Sequence, residues 1–379
     1  MSQAISRCLV GGLAGLLVGL VAVACRRGDG PTAWPVNSND VEASASSLAE
    51  PDAARPVGAS EDASSPLDAA PPMLAGFVAS GTGEAVRLAS GDDGRSYTNV
   101  PYPFDPDRPT EVVVYATPNG NTLEQTLGRR RAEGDSFRYD IQHVLAQVRL
   151  YRTLVPSSNV VLVTLEAPAL SWPTWRKRRV DAPARASALV LQAAPFAPGA
   201  TFTLASHSGG GALTFALLDS APRIPDRVSR IVFLDSHYGF DDKSGHGNKL
   251  SNWLGASPAH RLTALAYDDR RVRLHGKLVV PPGGGSYRAT YRLLHALEAS
   301  RLAFEQDEVG PFLRYRSGDG RADLRVHPNP KNIILHSALV SDENGLVFAL
   351  AQGRGAQIEA RAPFGRPRIY EAFVDASGP

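Results

Sequence analysis

The chain has 379 residues, 40 Lys and Arg against 38 Asp and Glu, and a formal charge of +2. A hydrophobic share of 43% can fill a sizeable core, and the balanced charge gives no electrostatic footprint for a nucleic-acid partner. Arg129, Arg130 and Arg131, and the basic run from Arg176 to Arg179, read as solvated faces. Both cysteines, Cys8 and Cys25, fall in the first 25 residues. The rest of the chain therefore has no internal disulfide, no thiol nucleophile and no thiolate metal site.

Residues 1–25 read as an export leader. Arg7 supplies the positive start, and the apolar run from Leu9 to Ala24 is short for a spanning helix. Its end, Ala22-Val23-Ala24-Cys25, resembles the bacterial lipobox, with Ala22 where Leu is commonest. The resemblance implies lipidation of Cys25 and a membrane-anchored lipoprotein; simple cleavage after Ala24 would leave a free periplasmic or extracellular protein, and no cleavage an anchored one. Residues 26–72 are rich in Ser, Ala, Pro, Asp and Gly and have almost no aromatics, so they cannot offset their ordering entropy and read as a disordered linker. Residues 73–379 are expected to form one folded domain.

Within that domain, Val86–Ala89 and Tyr97–Val100 suggest short edge strands. Glu111–Ala116, Asn159–Leu165, Thr201–Ala205, Arg230–Leu234 and Leu262–Tyr267 are continuous apolar runs, the signature of strands buried on both faces. Helices are expected at 137–153, 182–194, 211–220, 286–303 and 345–352. Further strands are expected at 272–280, 312–316, 324–326 and 369–374. Strands alternating with helices at this spacing predict an α/β fold, a mostly parallel central sheet with helices on both faces.

The segment Ser206-His207-Ser208-Gly209-Gly210-Gly211 lies between a buried strand and an apolar helix. Small residues two positions either side of Ser208 allow a sharp turn that pushes the serine outward. The motif is common by chance, and a glycine-rich turn that only packs a helix onto a sheet is the plain alternative; the strand–turn–helix context makes it specific. From about residue 110 to 350 the chain resembles the α/β-hydrolase fold, with Ser206 in place of the first glycine of Gly-x-Ser-x-Gly. The resemblance implies a nucleophilic serine at Ser208, followed in chain order by an acid and then a histidine.

Seven histidines follow Ser208. His336, after Asn332-Ile333-Ile334-Leu335 and near the end of the sheet, is the first choice for the base, and His327 the second. His295 reads as a packed helix residue and His275 as mid-strand. Asp235, at the end of the strand after the turn helix, is the first choice for the acid. Asp268 and Asp269, at the end of the next strand, are the alternatives, with a turn before Arg270-Arg271 as the plainer reading of that pair. The second oxyanion donor is expected from Asn119, Gly120 or Asn121, after the first long strand, with Gly209 supplying the other; a plain Asn-Gly turn fits that loop too.

Other features are softer. Trp172 and Trp175 suggest a pocket wall or a surface cap, and residues 238–260 a mobile cover. Pro281–Ser286 suggests an anion cradle, but lacks the lysine of a nucleotide site. No metal set and no cofactor motif are found. The expected activity is hydrolysis of a small-molecule or lipid-like ester, or an amide, by a Ser-His-Asp triad. The rival reading is a surface lipoprotein that uses an inert hydrolase fold for binding.

Overall fold

The computed structural model describes residues 73–135, 137 and 139–376; the leader, the linker, Cys8 and Cys25 lie outside the described residues. The described residues fall in one compact unit. Its strands are β1 (Val78–Ser80), β2 (Glu84–Gly91), β3 (Gly94–Pro101), β4 (Thr110–Ala116), β5 (Asn159–Glu166), β6 (Thr201–His207), β7 (Val228–Leu234), β8 (Arg261–Tyr267), β9 (Arg273–Leu274), β10 (Lys277–Leu278), β11 (Phe304–Val309), β12 (Phe312–Ser317) and β13 (Ala322–His327). Its helices are α1 (Leu123–Leu127), α2 (Val144–Leu154), α3 (Trp172–Arg178), α4 (Ala182–Leu191), α5 (Gly211–Asp219), α6 (His246–Ala256), α7 (Ser286–Ala299), α8 (Gly345–Ala351) and α9 (Ala356–Arg361).

Eleven strands form one sheet in the order β1-β2-β3-β5-β4-β6-β7-β8-β13-β12-β11. The six from β5 to β13 in that order run parallel, and the strands at both flanks pair antiparallel. The pleat divides each central strand between two cores. On β4, Val112, Val114 and Ala116 join the residues of α3 to α7, while Val113 and Tyr115 join those of α1, α2 and α8. Burial on both faces is why these strands read as unbroken apolar runs rather than alternating ones. This is an α/β-hydrolase architecture.

The order reverses around β4, whose neighbours β5 and β6 both follow it in sequence. At such a switch point, a crevice opens at the carboxyl ends of the strands. The ends of β4, β6 and β7 place Thr117, Ser208 and Asp235 along that edge.

Four expected elements come out differently. The strand at 272–280 is instead the two-residue ribbon β9–β10, paired only with itself. A turn with positive φ at His275 and Gly276 folds it back, and its charged residues face outward, so His275 is a turn residue. The strand at 369–374 is a 3-10 turn, Glu371–Phe373, which lays Tyr370 and Val374 against the α2 side of the sheet. The helix expected from residue 137 begins at Val144, because His143 before it adopts φ 52° and breaks the helical path. Residues 238–260 form two 3-10 turns and α6, which buries Leu250, Trp253 and Leu254. The glycines and charges that suggested a loose cover cap and solvate that helix.

Candidate active site

Ser208 stands between β6 and α5 with φ 54°, a left-handed conformation that costs a non-glycine residue energy and persists only where its surroundings impose it. The surroundings are three glycines. A Cβ at Gly209 would overlap the side chain of Asn119, one at Gly210 the carbonyl of Ala116, and one at Gly211 the carbonyl of Ser236. Gly210 and Gly211 thus let α5 close onto the sheet, and Gly209 opens the space between the serine and the loop after β4. Ser206 is buried and its hydroxyl lies 2.8 Å from that of Ser236, tying β6 to the end of β7. Asp235, Ala169 and Leu170 also have positive φ at this edge of the sheet.

Asp235 follows β7 directly. Its amide donates to the Leu265 carbonyl at 2.8 Å, and the residue is 3% exposed. One carboxylate oxygen, Oδ2, meets Nδ1 of His336 in a short contact; the other, Oδ1, accepts from the Ser286 hydroxyl at the start of α7. With Asp235 ionised, His336 carries its proton on Nδ1 and presents Nε2 as the free acceptor. The loop before His336 is held by Asn329. Its side-chain amide donates to the carbonyls of Asp268 and Ile333, and its carbonyl oxygen accepts from the Ile333 amide. The apolar residues that precede His336 are not a strand: Ile333 and Ile334 are about half exposed on this loop.

His207, beside the serine, lies against the His336 ring, tilted 38° to it with centroids 4.3 Å apart. Burial, then the neighbouring His336, pushes its pKa well below the usual imidazole value. It is therefore neutral, and its Nε2–H donates to the His336 carbonyl at 3.2 Å. This contact ties the residue before Ser208 to the backbone of His336. Among the described residues, the hydrogen-bond partner of Ser208 Oγ is Tyr238, whose hydroxyl donates at 3.2 Å; no hydrogen bond joins Oγ to His336. Such a bond is often long before substrate binds.

The loop after β4 narrows the choice of donors. The Gly120 amide is taken by the Leu170 carbonyl at 2.9 Å, and the Asn121 amide reaches the Pro118 carbonyl at 3.4 Å. Of the residues expected there, the Asn119 amide has no turn or loop acceptor among the described residues, and its side chain lies on Gly209. The Asn121 side-chain amide is buried without a partner.

Neither alternative acid touches His336. Asp268 is bound by both Nε and Nη2 of Arg270, which holds its carboxyl below the ordinary range. Asp269 is 3% exposed and accepts the Ser286 amide at 2.9 Å, while its Oδ1 has no partner. The glycine-rich run 281–286 thus does meet an acidic group, but it is this chain's own Asp269 carboxyl, which accepts the first amide of α7. Burial first, and then the charge of Asp235, raises the Asp269 pKa from the ordinary 3.8 to about 7.

That shift predicts a pH dependence of stability. Below pH 3.8 both states hold the proton; between 3.8 and about 7 the unfolded chain has lost the proton that the folded chain keeps. The folded state then binds more protons, so stability falls as pH rises through this window and levels off above it. The full effect is on the order of 4 kcal/mol. The substitution Asp269→Asn keeps an acceptor for the Ser286 amide and lacks the titration. The melting temperature of this variant should exceed that of wild type by more at about pH 8 than at about pH 5. An equal difference at both values would show that Asp269 ionises normally.

The remaining histidines are committed elsewhere. His327 accepts the Asn329 amide at 2.9 Å and lies edge-on to Phe312. His237 contacts Thr290, His246 contacts Asp219 and His260 contacts the Trp253 carbonyl, all buried. His295 is not packed: its side chain is largely exposed beside Glu298 on the outer face of α7. Trp172 and Trp175 form neither a pocket wall nor a surface cap. Ser171 caps α3 so that both rings turn inward, edge to face, in the core. Tyr238 was not anticipated from sequence; the only signal is its place three residues after Asp235.

No group of three or more metal-ligating side chains occurs among the described residues, and none of their helices is long and apolar enough to cross a membrane. No protein-family model and no curated protein matches the chain. Among solved structures, it is similar to a mutant feruloyl esterase module from Clostridium thermocellum complexed with sinapinate, at 12% identity and TM-score 0.39, over 71% of this chain and 88% of that one. It is also similar to a cold-adapted esterase from an Arctic intertidal metagenomic library, at 11% identity and TM-score 0.34, over 68% and 89%. A third is Thermogutta terrifontis esterase 2 phosphoramylated by tabun, at 10% identity and TM-score 0.32, over 65% and 84%. These likenesses are remote.

Proposed function

We propose that this chain is an exported serine hydrolase that cleaves an ester, or less readily an amide, through an acyl-enzyme intermediate. The observation that carries the reading is the joint placement, at one edge of the sheet, of a serine held at φ 54° and a histidine paired with a buried aspartate. An inert binding fold has no need of a strained serine or of a buried carboxylate aimed at a partly exposed imidazole.

His336 Nε2 takes the proton of Ser208 as Oγ attacks the carbonyl carbon, and Asp235 stabilises the imidazolium. The carbonyl electron pair moves onto oxygen, facing the amides of Gly209 and Asn119, each worth about 3 kcal/mol to the transition state. The intermediate collapses, the leaving alcohol takes the proton from His336, and water activated by the same imidazole cleaves the acyl-serine. No cofactor enters this scheme. The leader reading supports export, with Cys25 as a lipid anchor that holds the domain near a membrane on the 26–72 tether.

The test uses the full chain. A fluorophosphonate probe should label Ser208, as mapped by peptide mass, and the protein should hydrolyse short-chain aryl esters. The same preparation should partition into detergent, and a Cys25→Ser variant into the aqueous phase. Absence of both the Ser208 adduct and ester turnover would rule out the hydrolase reading; equal partitioning of the two forms would rule out the anchor.

A further inference from the structure

Tyr238 is the described side chain that hydrogen-bonds the reacting oxygen, and the scheme above does not use it. It sits in the 3-10 turn His237–Gly239, three residues after Asp235. The turn is pinned on both sides of the tyrosine. His237 is buried with Nε2 2.7 Å from the Thr290 hydroxyl, Phe240 is buried, and its amide donates to the His237 carbonyl at 2.9 Å. Gly239 passes so close to Phe215 of α5 that a Cβ there would come within 3.1 Å of the ring. Tyr238 itself remains 38% exposed, with its hydroxyl 3.2 Å from Ser208 Oγ. A pinned backbone thus presents one exposed phenol to the open side of the serine.

We propose that Tyr238 is a third oxyanion donor, its hydroxyl passing from Ser208 Oγ to the oxygen of the carbon that Oγ attacks. This rests on the reading of Ser208 as the nucleophile. Two oxygens on one tetrahedral carbon lie closer together than the length of a hydrogen bond, so a donor that reaches Oγ reaches its neighbour by a small side-chain rotation. The backbone supply limits the other donors. Of the amides of Asn119, Gly120 and Asn121 after β4, the last two are already spent on Leu170 and Pro118, leaving Asn119 with Gly209.

The step balances without further reagents. The Oγ–C bond forms, the carbonyl π pair moves to oxygen, and the Oγ proton goes to His336 Nε2. The Tyr238 hydroxyl keeps its proton and exchanges one acceptor, Oγ, for a more negative one. Because that acceptor is charged only in the tetrahedral species, the contact is stronger in the transition state than in the ground state. The effect therefore belongs in kcat rather than KM.

The experiment compares wild type with Tyr238→Phe, which removes only the hydroxyl at a partly exposed position. With an aryl ester, kcat should fall by about 10²-fold while KM changes by less than about 2-fold. A boronic acid that adds to Ser208 as a tetrahedral anion should bind the variant weaker by a similar factor, a loss that a merely structural tyrosine would not produce. Unchanged kcat and boronate affinity would overturn the proposal, as would a loss confined to KM. A faster variant would overturn it too, since Tyr238 would then be restraining the serine. Fluorophosphonate labelling run in parallel separates the two readings. A Ser208 adduct in both proteins with equal turnover sinks the tyrosine role alone; no adduct in wild type sinks both.

Discussion

Ser208→Ala is expected to lower kcat for an aryl ester by about 10⁶-fold while leaving the fold intact. Without Oγ there is no acyl-enzyme, and His336 and Asp235 have no hydroxyl to activate. What survives is the background from the donors and substrate binding, on the order of 10³ to 10⁴ over water. Stability should change little, because alanine suffers the same left-handed strain that serine already bears at φ 54°, and the lost contact is a single one to a partly exposed tyrosine. A melt that matches wild type, with no burst of aryl alcohol and no fluorophosphonate adduct, is the expected pattern. Retained turnover would move the nucleophile elsewhere and remove the meaning of the His336–Asp235 pair.

Asp235→Asn should cost about 10⁴-fold in kcat, and Asp268→Asn almost nothing. The difference is one of tautomer. The asparagine can turn its amide toward Nδ1 of His336, and that nitrogen then becomes the acceptor. The ring proton moves to Nε2, which can no longer receive the proton of Ser208. The asparagine also removes the charge that would stabilise the imidazolium. Asp268 meets Arg270 at the surface instead, so its loss alters one exposed ion pair. The rank order of the two variants at neutral pH decides the acid. If Asp268→Asn is the more damaging, the contact between Asp235 and His336 does not describe the working site.

The elbow was legible because it is local. The buried strand, the small residues around Ser208 and the apolar helix occupy one stretch of 19 residues, Thr201 to Asp219, and each enforces the same turn. The central strands were legible for a related reason: burial on two faces leaves no room for polar residues, so each appears as an apolar run. Flank elements were not. The spans 272–280 and 369–374 carry valines, an isoleucine, a tyrosine and a phenylalanine, as strands do, and whether such a segment pairs depends on a free edge being at hand. Here β1 and β11 already occupy the edges.

The rest of the site was decided in three dimensions. Asp235 and His336 are 101 residues apart, and sequence offered carboxylates at two adjacent strand ends. The choice between them follows from Ser286, which donates its hydroxyl to Asp235 and its amide to Asp269, and from Asn329, which fixes the loop that brings in His336. Gly120 looked as suitable as Asn119 until the Leu170 carbonyl proved to take its amide. Tyr238 was invisible because a tyrosine in a polar loop carries no signature of what its hydroxyl meets. Sequence alone determined the α/β layering and the place of the serine, since both arise from residues adjacent in the chain. The partners of that serine were left to tertiary structure, because they come from separate strand ends whose side chains meet only when the sheet has formed.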